Sequence, residues 1–194
     1  MNETAVLAKE RIARLRATIA LKEHDKVPIV GNLSYWPVKH YGKYTMQEAL
    51  YNFDSLAESY EFVLNKWNEW DAITTYLQAN APVLDALGST RLIIPGRQIS
   101  PYSDYQYPDQ SFMSVDEYDQ LIANPRKFRA EVILPRVCKR IKKDNLYETI
   151  KAVAKVFVYN QQMQAKTAGY WKKWQENYAI VPLYRGIFAV PVDV

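Results

Sequence analysis

Thiols and imidazoles are scarce in this chain of 194 residues, which has one cysteine, Cys138, and two histidines, His24 and His40. A single cysteine excludes an internal disulfide and cannot form a zinc site alone. With so few such groups, no nucleophile-and-base pair can be assigned. Also absent are the P-loop, the G-x-G-x-x-G turn, the H-E-x-x-H helix and the G-x-S-x-G elbow. No apolar run approaches the length of a membrane span, and the basic first helix lacks a signal peptide's apolar stretch. A cytoplasmic protein without a membrane partner is expected.

What is present is ordinary for a folded domain. Apolar residues make up 48% of the chain and charged residues 24%, so disorder is not indicated. The length allows one large domain or two small ones, and a single domain over 1–194 is expected. Charge is unevenly spread. Residues 126–173 hold thirteen Lys or Arg against Glu131, Asp144 and Glu148, a local net of +10 in a chain of net +4. The remainder therefore sums to −6, and 71–124 holds seven acids against Arg91 and Arg97. A basic segment suggests an anionic partner. Because these residues share helices with an apolar stripe, a solvated helix face is preferred over nucleic acid. A non-catalytic α/β module holding an anionic partner through 126–173 stands as an alternative function.

The stretch around which the chain is organised is Val27-Pro28-Ile29-Val30-Gly31, read as a short buried first strand. The following loop carries Asn32, Ser34, Tyr35, Trp36, Lys39, His40 and Tyr41. Such density of polar and aromatic groups past a strand's carboxyl end marks a candidate α/β binding site. Asn32, Tyr35 and Trp36 are candidate substrate contacts, joined by Tyr76 after the second strand. His40 is the candidate catalytic acid–base group of the loop, whereas His24 lies in a polar turn.

Along the chain, residues 4–22 read as an amphipathic helix. Its inward stripe would be Ala5, Ala8, Ile12, Leu15 and Ile19, with Lys9, Arg11, Arg14 and Arg16 outside. Thr45-Met-Gln-Glu48 is a capping box. It opens a helix whose stripe of Met46, Leu50, Phe53, Ala57, Tyr60, Leu64 and Trp67 is core. Asp71–Tyr76 is the second strand, and a helix between two short strands argues a parallel sheet. Asn80 caps a helix over 81–87 that Gly88 closes. Residues 97–112 form a long loop. Ser114–Glu117 opens a helix with Val115, Tyr118 and Ile122 inward. It stops at Asn124, Pro125 starts the next helix, and Pro135 should kink or break that one. A long helical stretch runs from Leu146 to about Trp174, with a bend near Gly169 as one option. Its stripe of Leu146, Ile150, Val153 and Phe157 meets Asn160, Gln161 and Gln164, where either the stripe shifts to Met163, the preferred reading, or those amides line something polar. Ile180–Val190 reads as the third strand region.

The order of these segments resembles the uroporphyrinogen decarboxylase-like superfamily. The carriers are the basic helix running into Leu21-Lys-Glu-His-Asp-Lys-Val-Pro-Ile-Val30, Asp71-Ala-Ile entering the second strand, and Pro95-Gly96 before a Tyr/Asp-rich loop. Met113-Ser-Val-Asp-Glu-Tyr-Asp-Gln-Leu-Ile-Ala-Asn-Pro125, Leu134-Pro-Arg136 and Val181-Pro-Leu-Tyr-Arg-Gly-Ile-Phe-Ala-Val-Pro191 follow. The resemblance implies a (β/α)8 TIM-type barrel with extra helices and a pocket at the carboxyl ends of its strands. It also implies either a decarboxylase or a methyltransferase that uses zinc and a corrinoid or thiol. The family's decarboxylases carry an arginine-rich loop after the first strand and an aspartate at the end of the second. Asn32–Gly42 has no arginine, and Thr75-Tyr76-Leu77-Gln78 has no aspartate. A methyltransferase acting on a small molecule is therefore expected, with a carboxy-lyase as the alternative. The resemblance stops near the third strand, so the chain is expected to be the amino-terminal portion of a barrel. Zinc ligands and a corrinoid protein would then lie outside it, and a second chain or a carboxyl-terminal half would complete it. Alone it is expected to be oligomeric, or a partial barrel with apolar surface near Val181–Val194.

Overall fold

The first helix buries its arginines. In the structure, a computed structural model that describes residues 3–74 and 80–183, α1 spans Glu3–Ile19 and turns Arg11, Arg14 and Leu15 inward. This corrects the expected stripe: Ile12 and Ile19 are exposed, while Arg11 and Arg14 are 3% and 6% exposed. A buried guanidinium is tolerated only where acceptors surround it, and both arginines have them. Arg11 donates to the carbonyls of Asn68 and Tyr178 at 2.5 and 2.6 Å. Arg14 pairs with Asp71 and, at 2.5 Å, with Asp25.

Three short strands form one parallel sheet among the described residues, in the order β1 (Val30–Gly31), β2 (Ala72–Thr74), β3 (Val181–Leu183). Val30 faces Ala72, and Ala72 faces Val181. The central strand is fully buried at Ala72 and Ile73, as a parallel strand covered on both faces must be. Pro182, which cannot donate to a ladder, sits in an outer strand. The expected buried strand at 27–30 is corrected, because Val27, Ile29 and Val30 are exposed and Gly31 is the buried member. Gly31 is required there: a Cβ would come within 2.7 Å of the Trp70 ring. The parts of the expected strands at 75–76 and 184–190 lie outside the described residues.

Between β1 and β2 lie α2 (Trp36–Tyr41), α3 (Met46–Tyr51) and α4 (Phe53–Lys66). The stretch expected to be a loop thus contains a helix, with Pro37 in its first turn and Gly42 closing it at φ +70°. The capping box forms: Thr45 Oγ1 accepts from the Glu48 N–H at 3.1 Å, and Glu48 Oε2 accepts from the Thr45 N–H at 2.7 Å. The helix expected from it is divided at Asn52, whose side chain caps α4 by accepting from the Asp54 N–H at 3.0 Å. The apolar phase survives the division, and Met46, Leu50, Phe53, Ala57, Tyr60 and Leu64 are all buried. Each large side chain of this kind contributes about 1.5–3 kcal/mol.

The chain divides into two units, which among the described residues are 3–74 with 163–183, and 80–162. In the second unit α5 spans Ala81–Leu87 and ends at Gly88, φ +62°; the Asn80 side chain makes no capping bond, contrary to expectation. Residues 97–112 are irregular, and Ile93 and Gln106 exchange backbone hydrogen bonds across the start of this loop at 2.8 and 3.1 Å. A 3-10 turn at Val115–Glu117 leads into α6 (Tyr118–Ala123). Next come α7 (Pro125–Phe128), a π turn over Arg129–Ile133 and α8 (Leu134–Val137). Pro135 does not break the helix; the wider π turn before it accommodates the missing N–H.

The last helix, α9, runs unbroken from Leu146 to Tyr178, so the bend near Gly169 is not formed. Two expected inward stripes are corrected. Val115, Tyr118 and Ile122 are exposed, as are Leu146, Ile150, Val153 and Phe157, while Ala152 is the buried residue of that turn. In the first unit the end of α9 packs through Trp171 and Trp174, and Trp174 stacks on Tyr60 at 5.7 Å and 8°.

Candidate functional site

In a parallel sheet the ends of the strands diverge in role, and binding groups gather beyond the carboxyl ends. At that edge the structure joins Asn32, just past β1, to Thr74, the last residue of β2. The Thr74 hydroxyl donates to Asn32 Oδ1 at 3.1 Å, and Asn32 is exposed. An asparagine whose Oδ1 accepts in this way still has two amide N–H donors. Immediately beyond, Ser34 adopts φ +46°, which non-glycine residues seldom do. The buried Tyr60 hydroxyl holds that turn by donating to the Ser34 carbonyl at 2.6 Å. Burial pushes the Tyr60 phenol up from its ordinary range, so it stays a donor.

The other expected contacts go elsewhere. Tyr35 turns into the core at 5% exposure. Trp36 and His40, one helical turn apart on α2, stack at 5.0 Å and 19°. His40 is also 4.8 Å from the Trp67 ring and 5.9 Å from Phe62, both residues following from the α4 stripe and its flank. Lys66 Nζ lies 3.3 Å from His40 Nε2. Lysine donates only, so a hydrogen bond here uses the Nε2 lone pair. The structure therefore groups His40 with Trp36 on the seam of α2 and α4, and groups Asn32 with Thr74 at the strand ends. Tyr76 lies outside the described residues.

Sequence reasoning missed a second polar cluster beside that seam. Glu58, on α4, accepts from Tyr41, Lys43 and Tyr44, at 3.0 and 2.5 Å for the first two. Lys43 first and Tyr44 next hold its carboxyl at about 2, below the ordinary 4.5. Residues at i and i+3 in Tyr41 and Tyr44 were the available signal. The ion cluster at the opposite, amino end of β2 was equally hidden. There Asp71 Oδ2 accepts from the Ile29 N–H at 2.7 Å while Oδ1 takes Arg14. Arg14 in turn holds the Asp25 carboxyl at about 2. Burial pushes the Arg11 guanidinium down, with Asp71 opposing.

None of these groups suits a zinc ion. His40 is committed to Lys66 and two indoles, and Cys138 is buried beside Ser89 with its thiol pushed up by burial, which disfavours the thiolate. Among the described residues no three His, Cys, Asp or Glu side chains converge. No helix among them is long and apolar enough to cross a membrane. No family model, curated protein or solved structure matches the chain.

Proposed function

We propose that this chain supplies the first strands of a uroporphyrinogen decarboxylase-like (β/α)8 barrel. On this reading it serves a methyltransferase-type enzyme that moves a methyl group between a small methylated or methoxylated substrate and a corrinoid or thiol. The observation that carries the reading is the Asn32–Thr74 pair at the carboxyl ends of two adjacent parallel strands, beside the strained Ser34 turn. Strand order agrees with it. Each strand pairs with its successor, an order that a barrel has and that the first three strands of a doubly wound sheet share. The resemblance of the segments that carry these strands supplies the chemistry.

The role this assigns to the chain is binding and orientation. The exposed Asn32 amide and Thr74 hydroxyl offer a polar anchor for a substrate heteroatom, held in place by the rigid strand ends. Since the described residues do not fit a zinc site, the metal of such enzymes would be held by other residues. The test is ligand-observed NMR of the purified protein against methoxybenzoates, methylamines and methyl thioethers, repeated with Asn32→Leu and Thr74→Val. Binding of one class that is lost in both variants, with the fold retained by circular dichroism, supports the reading. Absence of binding, or binding that both variants keep, overturns it.

A further inference from the structure

Six aromatic rings make one connected row on the surface of the first unit, along α2, α4 and the residues that follow each of them. Trp36 stacks on His40 at 5.0 Å, and His40 lies 4.8 Å from Trp67 and 5.9 Å from Phe62. Phe62 stacks in turn on Tyr41 at 4.5 Å, and Tyr41 meets Tyr44 at 6.1 Å. None of the six is buried: Trp36 and His40 are exposed, and the other four are half-buried. Helix spacing explains the row. Trp36 and His40 stand at i and i+4 on α2, while Phe62 and Lys66 stand at i and i+4 on α4.

Ammonium groups reach the rings at both ends of the row. Lys66 Nζ is 4.6 Å from the Trp67 centroid and 3.3 Å from His40 Nε2, and neither Lys66 nor His40 forms an ion pair among the described residues. At the far end Lys43 lies 5.1 Å from the Tyr44 centroid and 5.8 Å from that of Tyr41, with Glu58 as its partner. Rings alone suit a sugar or a protein side chain equally well, so charge selects the ligand. An exposed ammonium without a counter-ion calls for an anion, and the rings beside it call for a flat group. A nucleotide joins the two, as base and phosphate. The row takes in four successive ring-to-ring steps, from Trp36 to Tyr44, more than one base covers. Single strands splay their bases for such stacking, whereas a duplex keeps them in its own stack.

We propose that this row binds single-stranded nucleic acid, its bases stacking on the rings and its phosphate backbone passing Lys66. Trp36, 45% exposed at one end of the row, is the first stacking surface, and Lys66 is the first phosphate contact. Such binding tolerates any sequence, because every base has a π face. The inference stands apart from the methyltransferase reading, whose anchor is Asn32 and Thr74. It also shares no residue with the basic segment 126–173.

The test is fluorescence anisotropy of an end-labelled oligothymidylate of about 12 nucleotides, a length within the usual site size. It is titrated with the full chain, with Trp36→Leu and with Lys66→Gln, over a series of salt concentrations. The wild type is expected to bind, with the logarithm of its affinity falling linearly in the logarithm of salt concentration. Trp36→Leu should weaken binding about fivefold or more at every salt concentration and leave that slope unchanged. Lys66→Gln should make the slope shallower by about 0.7, the share of one phosphate on a single strand. Both side chains are exposed, so circular dichroism should match the wild type in each variant. Absence of binding overturns the proposal, as does binding that either variant keeps unchanged. A duplex of the same length bound as tightly as the single strand also overturns it, since stacking then plays no part. So does a preference for an uncharged oligosaccharide such as cellohexaose, which would make sugar the ligand of the rings.

Discussion

Asp71 is the residue on which the buried polar structure of the first unit converges. Its two oxygens satisfy Arg14 and the Ile29 N–H, so it fastens α1 and the entry to β1 at once. Asp71→Asn removes the buried charge opposite Arg14 and sets an amide NH2 against either the guanidinium or the Ile29 N–H, and breaking a buried pair in this way costs about 3–5 kcal/mol. Urea unfolding should show that loss; a change under 1 kcal/mol, roughly the worth of an exposed pair, would mean the cluster is solvated. Glu58 gives a pH-dependent case. Its folded carboxyl is at about 2, below the ordinary 4.5. The stabilisation is therefore complete above 4.5 and fades as pH falls toward 2. Glu58→Gln should be the less stable protein at pH 7, and the gap to wild type should close across that window in a series of melts. A gap that is constant with pH would deny the ion cluster. Little of this was legible in the sequence. Arg11 and Arg14 read as a polar face because Asn68, Tyr178 and Asp71, three of the acceptors that let them be buried, are 57 or more positions away.

At the scale of elements, local chemistry was legible where it was self-contained. The Thr45–Glu48 box and the core stripe of α4 follow from spacing alone, and so does the stop at Asn124 before Pro125. The helix α2 carried its own signals, Pro37 at the start and Gly42 at the end, but its polar and aromatic side chains drew the reading toward a binding loop. The stripes of α6 and α9 show the limit of periodicity, which marks an apolar face without saying whether this copy of the chain covers it. Gly169 offers a direct test of the unbroken helix. No atom lies within 4 Å of a Cβ placed there, and the residue is helical. Gly169→Ala should thus stabilise by about 0.5–1 kcal/mol, through lost freedom of the unfolded chain. A hairpin bend at this position would make the same change destabilising, so the sign of the shift in denaturation midpoint distinguishes the two.

At the scale of the whole molecule, the alternation of short strands with helices made a mixed α/β fold with a parallel sheet legible. The pairing of β3 with β2 was expected only in outline, because register depends on contacts across more than a hundred residues. The division into two units had no composition break to announce it. Stability should be distributed unevenly as a result. In α4, Leu56, Ala57, Tyr60, Val63 and Leu64 are fully buried, whereas 97–112 has no helix or strand of its own. Hydrogen-exchange mass spectrometry should find the slowest amides in α4 and fast exchange through 97–112. Equal protection of the two would contradict this core.

The clamp on Arg11 also has a consequence in time. Its two carbonyl acceptors are made 57 and 167 residues after it. At about 5–20 residues per second the ribosome needs roughly 8–33 seconds to supply the second one. Throughout that interval the nascent α1 exposes a guanidinium that is fully seated only once Tyr178 has been added. The helix α1 is accordingly late to dock, and a chain released before Tyr178 should leave the ribosome with α1 still searching for its place.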